Sequence, residues 1–76
     1  MLRTVQDQKG MTWICLELPE VPVERREAAA AMSADTVAIE CNSGAERVIA
    51  LVPNGWDDDM PDSQLAGIIS AHLSSG

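Results

Sequence analysis

Phenylalanine and tyrosine are missing from this chain of 76 residues, and its only aromatics are two tryptophans, Trp13 and Trp56. A core must therefore be assembled from aliphatic side chains and much alanine, which permits close approach of elements but buries little area per residue. Histidine occurs once, at His72, and cysteine twice, at Cys15 and Cys41. There is no Cys-x-x-Cys pair, so structural zinc and thioredoxin-like chemistry lack their usual spacing. No glycine-rich phosphate loop, nucleophile elbow or zincin helix is present. A Cys–His nucleophile pair would need close geometry and an oxyanion hole, and no motif points to either. The expectation is a non-enzymatic protein with no metal and no cofactor, its cysteines inert thiols and a disulfide between them the lesser alternative.

Positive charge is scarce as well. Arg3, Lys9, Arg25, Arg26 and Arg47 are scattered among twelve acidic residues, giving a net charge of −7 and a pI near 4.3. Nucleic-acid binding draws most of its affinity from cations that neutralise phosphates, and five dispersed ones form no such stripe. Direct binding to DNA or RNA is set aside, whereas solubility and basic protein partners are favoured. Long apolar runs are absent too: nothing approaches the ~18 residues of a membrane span. The opening Met1–Asp7 turns polar at once and has no export-signal core. With two cysteines and no such signal, a cytoplasmic location with reduced thiols is expected.

The small size constrains the rest. At 8.1 kDa the chain should expose roughly 4,500 Å² when folded, against roughly 11,700 Å² when extended. If about 60% of the buried difference is apolar, burial contributes on the order of 110 kcal/mol at ~25 cal/mol/Å². Ordering the chain at about 1.5 kcal/mol per residue costs a similar amount. An isolated monomer is thus marginal, and a homodimer is expected.

Along the chain, Leu2–Gln6 has the weakest strand pattern, and residues 1–10 are read as a short edge strand or as disordered. Asp7-Gln8-Lys9-Gly10 suits a turn. Met11–Leu18 is rich in β-favouring residues and stopped by Pro19. It alternates Ile14, Leu16 and Leu18 with Trp13, Cys15 and Glu17. A helix is expected from Pro22 or Val23 to Met32, then a strand over Thr36–Cys41, a turn at Asn42-Ser43-Gly44-Ala45 and a strand over Arg47–Val52. A last helix should span Pro61–Leu73, with Asp57, Asp58, Asp59 and Asp62 crowding its amino end, and residues 74–76 should fray. The result is one small α+β domain, residues 1–76, ordered β-β-α-β-β-α: an antiparallel sheet of three to four strands with two helices on one face.

That architecture leaves the other sheet face open. With Ile14, Leu16 and Leu18 assigned to the core, Trp13 and Cys15 fall on the open face, where an exposed indole marks a contact surface. A second candidate is the loop Trp56-Asp57-Asp58-Asp59, where an indole beside carboxylates suits an Arg or Lys from another protein. Calcium fits the aspartates poorly, because consecutive carboxylates do not reproduce an EF-hand pattern. The expected function is a homodimeric protein–protein interaction module that binds through Trp13 on the sheet face or through Trp56, Asp57, Asp58 and Asp59. The alternatives are an acidic inhibitor of the antitoxin or phage anti-defence type, occupying the basic nucleic-acid site of a target, and a thiol- or metal-dependent activity.

Overall fold

Two short turns organise the sheet. In the first, the Asp7 carboxylate accepts the backbone N–H groups of Lys9 and Met11, both at 2.9 Å, and Gly10 donates its N–H to the Asp7 carbonyl at 3.1 Å. Gly10 has φ +81°, a left-handed conformation that a β-carbon would disfavour. In the second, Ser43 donates to the Glu46 carbonyl at 3.0 Å, Asn42 Oδ1 accepts the Gly44 N–H at 2.7 Å, and Gly44 has φ +91°. Both turns lie where the polar, glycine-containing clusters place them.

The computed structural model describes residues 2–75. Strands β1 (Leu2–Gln6), β2 (Thr12–Glu17), β3 (Thr36–Asn42) and β4 (Arg47–Pro53) form one antiparallel sheet in sequence order. A 3-10 turn at Val23–Arg25 and helix α1 (Arg26–Met32) join β2 to β3, while α2 (Trp56–Asp59) and α3 (Asp62–Ser75) follow β4. The α+β class, the antiparallel sheet and the order β-β-α-β-β-α are as expected, with the weakly patterned β1 a full strand. Helix α3 extends through Ser75, two residues beyond the expected Leu73. Gly76 lies outside the described residues.

Pairing fixes which side chains share a face. Val5 is opposite Trp13, Cys15 opposite Cys41, Cys41 opposite Val48, and Ile39 opposite Ala50. These residues form the inner face, packed with Trp56 of α2, Met60, and Leu65 and Ile69 of α3 into one buried cluster. The two helices on this face are α2 and α3, and α3 touches both β1 and β4. Helix α1 instead contacts β3. Ala38, which alternates with Ile39 and so points to the outer face, is 1% exposed, and Ala29 of α1 is buried as well. We therefore place α1 across the outer face, with its alanines permitting close approach to Ala38, so the first and last expected helices do not share one face of the sheet.

The faces of β2 are the reverse of the sequence expectation. Trp13 and Cys15 are fully buried, while Ile14 and Leu16 are 49% and 47% exposed. Both sets are apolar, so alternation does not say which one turns inward. Neighbouring strands decide it: Val5 and Cys41 lie beside Trp13 and Cys15 on the face that α3 covers.

Candidate functional site

Neither tryptophan offers its indole to a partner. Trp13 donates its Nε1–H to Asp7 Oδ2 at 3.1 Å, and Trp56 donates its own to Glu17 Oε1 at 2.9 Å. Trp56 is 1% exposed, and its carbonyl accepts the Arg3 guanidinium at 2.8 Å. Arg3 also pairs with the Asp62 carboxylate, which ties β1 to the first turn of α3. Both carboxylates that receive an indole therefore come from polar positions beside the sheet core. The expected site residues Trp13 and Trp56 are corrected accordingly: a buried indole with a satisfied N–H is a core anchor. Asp7, whose carboxyl already accepts three N–H groups, is held below the usual carboxylate range, chiefly by the Trp13 hydrogen bond.

The aspartate run also differs from the expectation. Asp57, Asp58 and Asp59 form α2 together with Trp56, and Met60-Pro61 separates them from α3. Asp62 alone occupies the first turn of α3. Asp58 and Asp59 are exposed and Asp57 half-buried, so Trp56 faces inward while its acidic neighbours face outward. The structure thus divides the four-residue cluster: the indole serves the core, and the carboxylates stay on the surface. Among the described residues, no three of His, Cys, Asp and Glu converge to hold a metal ion.

An open cleft of about 860 Å³ gathers Lys9, Arg25, Arg47 and His72 between the first turn, β4 and the end of α3. Its positive charge is largely engaged. Arg25 donates to the Ile49 carbonyl at 3.0 Å, Arg47 pairs with Glu40 at 2.9 Å, and Lys9 lies close enough to Asp7 to help hold its carboxyl down. Glu46 adds a further negative charge to the lining. The cleft is thus lined by charges of both signs.

The surface without internal cover lies on the outer face of β1 and β2. Leu2 is 63% exposed and stands directly opposite Leu16, while Thr4 stands opposite Ile14. Leu2, Ile14 and Leu16 thus form one apolar patch across two paired strands, because same-face neighbours on adjacent strands lie about 4.5–5.5 Å apart. Helix α1 covers the β3 side of this face and leaves the patch open. Glu40 and Arg47, also on the outer face by alternation, supply a mixed-sign ion pair at the patch's other side.

The sequence did contain a signal for this patch. Trp13-Ile14-Cys15-Leu16 is an unbroken apolar run, which is the pattern of a strand covered on both faces. The folded chain covers only one of them. No helix among the described residues is long and apolar enough to cross a membrane. No protein family, no curated protein and no solved structure matches this chain.

Proposed function

We propose that this protein is a non-enzymatic interaction module whose working surface is the outer face of β1 and β2, and that its partner there is a second copy of the chain. The observation that carries this reading is the two-sided apolarity of β2: Trp13 and Cys15 fill the core, while Ile14 and Leu16 remain half exposed beside Leu2. A two-fold arrangement also suits the face, because it sets an apolar patch on an identical one and permits Glu40 of each copy to approach Arg47 of the other.

Light scattering coupled to size-exclusion chromatography tests the proposal. The wild-type protein should elute as a dimer at high micromolar concentration. Leu16→Glu, at an exposed position, should give a folded monomer with an unchanged far-ultraviolet spectrum. A wild-type protein that stays monomeric at 8.1 kDa would rule out the second copy as partner.

A second reading rests on α2, whose Asp58 and Asp59 point away from the core. Outward carboxylates on a chain of net charge −7 suit a basic partner, including an inhibitor's target whose nucleic-acid site they would occupy. Such a complex would weaken steeply with salt.

A further inference from the structure

Cys15 and Cys41 are separated in sequence by the whole α1 excursion, yet pairing of β2 with β3 sets them directly opposite each other. Both side chains lie on the inner face, both are fully buried, and both are free thiols. Directly opposed residues on antiparallel strands have α-carbons about 4.5–5.5 Å apart, which falls inside the ~4.4–6.8 Å range that a disulfide spans. Nothing but the width of one strand pairing separates the two thiols, which share the buried inner face. We propose that Cys15 and Cys41 form a dithiol–disulfide couple, a covalent redox site whose oxidant is a hydroperoxide and whose oxidised form links β2 to β3.

The pair is chemically asymmetric. Cys15 is drawn below the ordinary thiol range, first by the hydrogen bond from Cys41 and also by the charge of Arg3, its opposite neighbour on β1. Cys41 is pushed well above that range by holding the shared proton, by burial and by the nearby negative charge. Arg3 stands opposite Cys15 on β1 and favours a thiolate there, which assigns Cys15 as the attacking sulfur and Cys41 as the resolving one. In the first step the Cys15 thiolate attacks the peroxide, the O–O bond breaks, and a sulfenic acid and hydroxide form. The Cys41 thiol then loses its proton and attacks that sulfenic sulfur, which expels the oxygen as water. The net change consumes two thiols and one hydrogen peroxide and yields one disulfide and two waters. The two electrons leave the sulfurs and reduce the peroxide.

Burial sets the rate and does not forbid the reaction. Cys15 lies next to β1, a five-residue edge strand, and edge strands open locally at a lower cost than the whole domain. Oxidation is accordingly expected to accelerate in low urea, below the unfolding transition.

The wild-type protein treated with hydrogen peroxide provides the test by intact mass, with dithiothreitol as the reversal. The expected product is a monomer lighter by about 2 Da, the two hydrogens lost, with neither cysteine alkylatable until it is reduced. Its thermal midpoint should rise by about 20 °C, because the link closes the α1 loop in the unfolded chain. Covalent dimers, stepwise oxygen addition without a link, or thiols still intact after incubation in low urea would each overturn the site. Cys41→Ser should let a sulfenic acid accumulate at Cys15, trapped by dimedone. Equal trapping at Cys41 in Cys15→Ser would overturn the assigned order of attack. The wild-type mass measurement stands even if neither variant folds.

Discussion

At the scale of single residues, two carboxylates do what the missing aromatics would otherwise do. A core with only two large rings cannot leave either of them mobile, and each is fixed by an acceptor on its indole N–H: Asp7 for Trp13 and Glu17 for Trp56. Asp7 also shapes the first turn through Lys9 and Met11, so one side chain couples a hairpin to the core. This predicts a pH dependence with a definite sign. The folded-state value of Asp7 is depressed, so its stabilisation is fully present above the unfolded value and is lost as pH falls through the folded one. Asp7→Asn turns one of the two acceptors into a donor that opposes the indole or the turn. The urea midpoint of the wild type should exceed that of Asp7→Asn near neutral pH, and the gap should close over the range from about pH 4 down through the depressed folded-state value. A gap that stays constant over that range would remove Asp7's charge as its cause.

At the scale of elements, the sheet is dressed unequally on its two sides. Helices α2 and α3 supply Trp56, Leu65 and Ile69 to the inner face, whereas α1 is short, alanine-rich and seated on Ala38. Such a contact depends on smallness, so it should resist enlargement. Ala38→Leu is expected to cost about 1–3 kcal/mol in urea unfolding by overpacking the gap. Ala30→Leu, at an exposed position of the same helix, should be nearly neutral, and equal effects at the two positions would unseat α1. Much of this layer was legible beforehand. Turn residues located both hairpins, and the strand expected over Thr36–Cys41 is β3, with Val37, Ile39 and Cys41 on its inner side. The orientation of β2 was not legible, because Trp13 and Cys15 compete with Ile14 and Leu16 for the same core on nearly equal terms. Glu17 made the choice harder: a charged residue in the Trp13 set argues for solvent, yet it faces inward to receive the Trp56 N–H. The functional candidates moved with it, from the indoles to the aliphatic residues on the opposite face. The division of the aspartate run into α2 and a separate α3 was hidden for a related reason. Acidic residues suit the start of either helix, and only Trp56 packing inward fixes where the first one lies.

At the scale of the whole molecule, two forces act oppositely on self-association, and their balance can be measured. Each copy carries a net charge of −7, so bringing two together raises like-charge repulsion. The proposed contact itself is apolar, made by Leu2, Ile14 and Leu16, and does not weaken when charges are screened. Raising the salt shortens the screening length from about 10 Å at 0.1 M to about 3 Å at 1 M. Repulsion between the bodies of the two copies then falls while the apolar contact is kept. The dimer fraction measured by sedimentation at a fixed, low micromolar concentration should therefore rise between these salt concentrations. The thermal midpoint should depend on protein concentration in both, as expected when association and folding are linked. A complex held through Asp58 and Asp59 against a basic partner would show the opposite salt response, since its attraction is what the salt removes. If self-association instead fell with salt, the Glu40–Arg47 pairs would be its source and the apolar patch would not. Leu16→Glu makes the same distinction from the other side. It should abolish a dimer built on the patch at every salt concentration, and should leave one built on Glu40 and Arg47 largely intact.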